Sequence, residues 1–352
     1  MTLRRRKRKM KLQSANGSVE HLMDDQGEDS TDSLESGFRK QGNIRNAHRG
    51  FSEMKTELER DLLLSTQNVF LQNDACNFAA AEFAKLPLIP PYSQPGNREF
   101  INGANFASGG AGALVETNQG REFQEYGEAA KRKTWSCSLA EVKTLLSKAV
   151  YIFYIGSNDY SVPSATNSTV LQSYSQEEYV KMVIGNITAV IQEIYKIGGR
   201  KFGLSKLTAG CDPASRALKL ATTGGSGCME EATMLAQLHN IALPEVLKEL
   251  ESHLKGFTYS FFDFYTTADE RLNNPSKYGF KEVKMACCGS GPYRGSLTCG
   301  LKGYQLCVNI SEYLYFDAVH PTEKANYQFA KLMWKGSTEV VKPYNLKTLF
   351  EI

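Results

Sequence analysis

Residues 150–156 read Val-Tyr-Ile-Phe-Tyr-Ile-Gly, an unbroken apolar run that stops on a glycine. A strand with one solvated face alternates apolar and polar residues, whereas a strand buried on both faces does not. The run therefore predicts an interior strand of a parallel sheet, which needs helices on both faces. "RKFGLSKL" (200–207) and "FTYSFFDFY" (257–265) read as further strands, the second by its aromatic alternation. Ser175 and Glu178 form a capping box, and the helix behind it places Val183, Ile187, Val190, Ile191 and Ile194 on one face before ending at Gly198-Gly199. "CMEEATMLAQLHNIALPEVLKELESHL" (228–254) predicts a long helix kinked at Pro244. "NFAAAEFAKLPLIPPY" (77–92) is a short helix stopped by prolines, and "PTEKANYQFAKLMWKG" (321–336) closes the chain's run of helices with Pro321 near its first turn. Strand and helix alternate, so the fold class is α/β with a doubly wound, mostly parallel sheet. Its catalytic groups should collect on loops at the carboxyl ends of the strands.

Composition narrows this further. The 352 residues are 41% hydrophobic, enough for a real core in one large domain or two small ones. The net charge is only +3, but "MTLRRRKRKMK" opens the chain and "EHLMDDQGEDSTDSLES" follows it. Adjacent blocks of opposite charge without apolar periodicity predict a disordered tail over residues 1–50. The basic block reads as a nuclear, nucleic-acid or anionic-lipid signal, or as a solvated end; the acidic block beside it argues against nucleic acid as a partner. In "FSEMKTELERDLLLSTQNVFL" (51–71), Phe51, Met54, Leu58, Leu62 and Leu63 fall near helical spacing, so residues 51–74 are read as helical and 75–352 as the domain proper. The basic start leads into polar residues without the apolar stretch of a signal peptide. No run is apolar for long enough to span a membrane as a helix.

Cysteine usage points the other way. Six of the eight cysteines are Cys211, Cys228, Cys287, Cys288, Cys299 and Cys307, and four of these fall within 21 residues. No Cys-x-x-Cys pair accompanies a correctly spaced His, so a loop stapled by disulfides is read in preference to zinc, with the pairing open. Disulfides imply an oxidising compartment, and the sequons at Asn167, Asn186 and Asn309 agree with it.

Three segments sit where such a sheet would hold a site. In "NFASGGAG" (105–112) paired glycines either turn the backbone or present its N–H groups to a ligand. In "IGSNDY" (155–160), at the end of the apolar strand, Asn158 is an oxyanion donor, or Asn158 and Asp159 serve as turn and cap residues. In "FDAVHP" (316–321) the spacing lets Asp317 reach the Nδ1–H of His320, fixing the tautomer that makes Nε2 a general base; the alternative is an exposed pair with no shared task. No P-loop, dinucleotide fingerprint, His-Glu-x-x-His box or Gly-x-Ser-x-Gly elbow is present, so neither a cofactor nor a metal is expected.

These segments occur in this order, with "KLPLIPPY", "GGRKFG", "EEAT", "NNPSKYGF", "ACCGSGPY" and "YNLKTLF" around them. From about residue 75 onward the chain resembles the plant branch of the GDSL (SGNH) esterase/lipase family. The resemblance implies a three-layer α/β/α sandwich, secretion, and hydrolysis of carboxylic esters, small-molecule or lipid, by a Ser-His-Asp mechanism. Asp317 and His320 would activate a serine, Gly109, Gly110 and Asn158 would bind the oxyanion, and an acyl-enzyme would form and be cleaved by water.

The chain departs from the family at its first block, a strand followed by Gly-Asp-Ser-Leu. "TDSLESG" makes Ser33 the nearest match to the nucleophile. Yet Thr31 stands in the glycine's place, and six of the eleven residues in the preceding "VEHLMDDQGED" are charged or His, which no buried strand carries. Ser65 after "DLLL" and Cys76 after "VFLQND" also follow short apolar runs. The sheet is therefore expected to lack its first central strand. Two functions stand: an ester hydrolase, or a catalytically inactive lipase-like binding or regulatory protein.

Overall fold

The computed structural model describes residues 68–71, 81–86, 89–90, 103–107, 109–118, 139–166 and 168–352. Five short segments pair in parallel: β1 (Asn68–Leu71), β2 (Ala104–Asn105), β3 (Val150–Phe153), β4 (Lys201–Ser205) and β5 (Thr258–Phe262). A separate ladder joins β6 (Cys288–Gly289) to β7 (Gln305–Leu306), and β8 (Val341–Pro343) adds an antiparallel edge beside β5. The main sheet runs β2-β1-β3-β4-β5-β8.

The apolar run at β3 is buried along its whole length, and its pleat divides it between two cores. Tyr151 and Phe153 join Phe202, Leu204, Tyr259 and Phe261 on one face. They pack there with buried residues of α2 (Gln176–Ile197) and α4 (Glu230–His253). Val150 and Ile152 face the other way, toward Phe329 of α5 (Glu323–Lys335) and Leu346 and Leu349 of α6 (Leu346–Glu351). Two helical layers thus sandwich the sheet. α2 begins at the predicted capping box, with the Ser175 hydroxyl accepting from Glu178 N–H at 3.2 Å and the Glu178 carboxylate accepting from Ser175 N–H at 2.9 Å. α4 runs unbroken through Pro244.

β1 corrects two expectations. Asn68–Leu71 is strand where helical spacing predicted helix, and it fills the central place that was expected to be vacant. Asn68 lies opposite Val150, Leu71 opposite Phe153, and Val69 opposite Ala104. Val-Phe-Leu suits a strand, and backbone pairing on both sides outweighs the helical period of the residues before it. The rest of the 51–74 segment, the 1–50 tail, Ser33, Ser65, Cys76 and Asn167 lie outside the described residues.

Candidate active site

The Asp317–His320 turn is held together from inside and out. The Phe316 N–H donates to the His320 carbonyl at 2.8 Å and closes it. Within it, Asp317 Oδ1 accepts from the N–H groups of Val319 (2.9 Å) and His320 (2.8 Å). His320 Nδ1 lies 3.0 and 2.9 Å from the two carboxylate oxygens, the contact that the three-residue spacing predicts. From outside, the N–H groups of Cys287 and Cys288 donate to the carbonyls of Tyr315 (3.0 Å) and Phe316 (2.7 Å). Ala214 N–H, in the first turn of α3 (Pro213–Thr223), donates to Ala318 at 2.9 Å. The leading N–H groups of a helix have no partner within it, so the turn satisfies one of them. Burial alone would raise the Asp317 carboxyl. Hydrogen bonds from His320 and the Val319 N–H, with the His320 charge, outweigh it and hold the group below the usual carboxylate range. The carboxylate is thus ionised at neutral pH beside an imidazole whose side chain is 51% exposed.

Disulfides set the outer support. Cys287 pairs with Cys307, Cys288 with Cys299, and Cys211 with Cys228, resolving the pairing that spacing leaves open. Replacing both Cys288 and Cys299 by alanine is expected to cost about 3 kcal/mol of unfolding free energy from the reopened loop. Faster hydrogen exchange at Cys287 and Cys288, whose N–H groups hold the turn, should accompany it. Urea denaturation and exchange mass spectrometry would read both effects, and unchanged exchange would show that the staple does not support the turn.

The Gly-rich loop is fastened to the exit of β3. Gly110 has φ 80°, a left-handed conformation that suits glycine. At Gly112 a Cβ would lie 2.5 Å from both Asp159 Oδ1 and Thr117 Oγ1, so the loop closes only without a side chain there. Asp159, fully buried on α1 (Ser157–Thr166), accepts from the N–H groups of Ala113 (2.8 Å) and Leu114 (2.9 Å) and from the Thr117 hydroxyl. Burial pushes its carboxyl up, against the pull of these three donors. Asn158 Nδ2 donates to the Ala111 carbonyl at 2.8 Å, which brings the amide against the Gly109–Gly110 turn. One hydrogen of that amide is thereby committed and the other is not part of this bond. Sequence reasoning treated Asp159 as a turn or cap residue and missed the clamp, whose partners lie more than 40 positions away.

An electrostatic link reaches from the Asp317 turn to the exit of β3. Tyr315, just before the Asp317 turn, has its phenol pushed up by burial and by Asp212 and Tyr154, with Arg216 opposing. Tyr154 is the residue that leaves β3, and Asp212 caps α3. Between the exits of β2 and β3 lies the exit of β1. The sequence that leaves it is Gln72-Asn73-Asp74-Ala75-Cys76, and no serine occurs from Thr66 to Tyr92. Among the described residues no three His, Cys, Asp or Glu side chains group as a metal site would, and no helix is long and apolar enough to cross a membrane.

A doubly wound α/β/α sheet with a carboxylate–imidazole pair on a carboxyl-end loop defines the class of protein. A family model described as GDSL-like Lipase/Acylhydrolase matches residues 65–333, a stretch that includes β1. GDSL esterase/lipase 1 of Arabidopsis thaliana is 48% identical over 291 residues, covering 77% of this chain and 76% of that protein. GDSL lipase of Tanacetum cinerariifolium is 45% identical over 279 residues, covering 77% and 73%. An Arabidopsis thaliana protein named Inactive GDSL esterase/lipase-like protein 25 is 35% identical over 277 residues, covering 76% and 62%. The chain belongs to the GDSL lipase/acylhydrolase family.

Proposed function

We propose that this chain acts on carboxylic esters, small-molecule or lipid, with Asp317 and His320 as its acid–base pair and Asn158 and the Gly109–Gly110 turn facing the oxyanion. The observation that carries the reading is the carboxylate held on His320 Nδ1, which fixes the tautomer with Nε2 as general base. In the hydrolytic cycle His320 takes the proton of a serine hydroxyl as its oxygen attacks the ester carbonyl. The Asn158 amide and glycine N–H groups stabilise the resulting oxyanion. His320 returns the proton to the departing alcohol, and water then cleaves the acyl-enzyme by the same route. Ser33 is the nearest sequence match to the attacking serine, and it precedes β1 rather than following it. Relatives named esterase/lipase support this reading, and the three disulfides support secretion.

A second reading is favoured by one observation, the lack of any serine between Thr66 and Tyr92 where β1 leaves the sheet. In it the chain binds esters without forming an acyl-enzyme, in line with a relative whose name calls it inactive. A fluorophosphonate probe together with p-nitrophenyl butyrate separates the two. The hydrolase reading expects one labelled serine, abolished by Ser33→Ala, and turnover that falls about a thousandfold or more in His320→Ala. Folded protein that neither labels nor turns over overturns the hydrolase reading, and saturable non-covalent binding of an ester to that protein would carry the second.

A further inference from the structure

Six large apolar side chains exposed to solvent fall within residues 297–310: Leu297, Leu301, Tyr304, Leu306, Val308 and Ile310. Single exposed leucines need no explanation, but this density does. Leu297, Leu301 and Leu306 are 66%, 59% and 53% exposed, and Val308 completely so. The residues before Val308 belong to a flap closed by Cys287–Cys307, by Cys288–Cys299 and by the β6–β7 ladder. Covalent staples hold this flap in shape, so its apolar side chains are not consumed in folding it.

The flap is seated beside the Asp317–His320 turn. Gly295 approaches α3 so closely that a Cβ would collide with the Pro213 carbonyl oxygen, and the neighbouring Ala214 N–H holds Ala318. Cys287 and Cys288 hold Tyr315 and Phe316 on the other side. Val319, next to His320 in the chain, is itself 40% exposed. Charge is also one-sided. No acidic residue occurs from Val283 to Ser311, while Lys284, Arg294 and Lys302 do, and Lys284 and Lys302 are exposed. Arg294 is engaged with Gln305 and with the carbonyls of Ala286 and Cys287.

Aliphatic tips, a tyrosine and cations without anions suit a lipid interface. The aliphatic groups enter the acyl boundary, the tyrosine sits at headgroup depth and the lysines meet anionic headgroups. We propose that the flap and the residues after it, 287–310, form a docking site for an anionic lipid surface, seating the Asp317–His320 turn at the interface. Docking needs no turnover, so it stands or falls independently of the hydrolytic reading.

Flotation of the disulfide-intact chain with vesicles of equal parts phosphatidylcholine and phosphatidylglycerol tests this. The chain is expected to float with these vesicles and about tenfold less with phosphatidylcholine alone. Leu301→Ser/Leu306→Ser should weaken flotation about tenfold or more, and Lys302→Glu in the same direction. Ile241→Ser, which removes an exposed apolar side chain from α4, should leave flotation unchanged. Circular dichroism confirms that each variant is folded. The proposal is overturned by absence of flotation. It is equally overturned by flotation that survives Leu301→Ser/Leu306→Ser, since the basic start of the chain would then be the binder. A dimer seen by light scattering in place of vesicle binding, and abolished by the same substitutions, would give the patch to a second copy.

Discussion

Asp159→Ala is expected to lower the unfolding free energy by roughly 3–5 kcal/mol, because it strands three donors, two of them on buried residues. The Ala113 and Leu114 N–H groups and the Thr117 hydroxyl all converge on this one fully buried carboxylate. Each buried donor left without an acceptor costs about 1–3 kcal/mol. Gly112→Ala attacks the same clamp from the opposite side, since its Cβ would collide with Asp159 Oδ1 and Thr117. It should cost about 1–3 kcal/mol through overpacking. Asp159→Asn keeps the shape but turns an NH2 toward N–H donors, so it should fall between wild type and Asp159→Ala. Urea midpoints at unchanged slope measure all three. Faster exchange across residues 109–118 would show that the Gly-rich loop is what comes loose. A loss under about 1 kcal/mol in Asp159→Ala would mean the loop is held by something else.

Acidification should unfold the protein through His239. This residue is fully buried on α4, its Nδ1 is 2.7 Å from the Tyr160 hydroxyl, and its Nε2 has no hydrogen-bond partner. Burial disfavours the imidazolium and lowers its pKa from 6.5 to about 3. Above pH 6.5 the ring is neutral whether folded or unfolded, and folding is unaffected by it. Below that, the unfolded chain takes up a proton that the folded chain refuses until about pH 3. Stability contributed by this site therefore falls by about 1.4 kcal/mol per pH unit across the window, roughly 5 kcal/mol in all. His239→Gln keeps a polar group near Tyr160 but removes the titration. The stability difference between variant and wild type should then shrink, or reverse in the variant's favour, as pH drops from 6.5 toward 3. A difference independent of pH would show that the ring is protonated in the folded protein or reached by solvent.

What the chain's order of residues disclosed is what local physics determines. β3, β4 and β5 are continuous apolar or alternating runs, and α2 carries both its capping box and its apolar face within its own length. Asp317 and His320 meet because three residues separate them and a tight turn closes on itself. The rest depends on distant partners. β1 is four residues long, and the helical spacing of the segment before it masks it. Its identity as strand comes from neighbours at Ala104 and Val150. The Asp159 clamp joins residues more than 40 positions apart, and adjacent Cys287 and Cys288 choose Cys307 and Cys299 only once the β6–β7 ladder sets the register. The Asn158 contact with the Gly-rich turn was expected as a shared site, whereas the Ala111 carbonyl that carries it was not.

The four residues of β1 also have a temporal meaning. β3 meets β4 after a separation of 51 positions and β4 meets β5 after 57, but Asn68 must find Val150 across 82. Longer closures are slower to form, so the β3-β4-β5 half of the sheet should assemble ahead of the β1 seam. Throughout that interval β3, the most apolar strand, is an edge, with an unpaired row of N–H and C=O groups open to any other chain. The strand that completes the sheet is thus also what ends the nascent protein's exposure to aggregation.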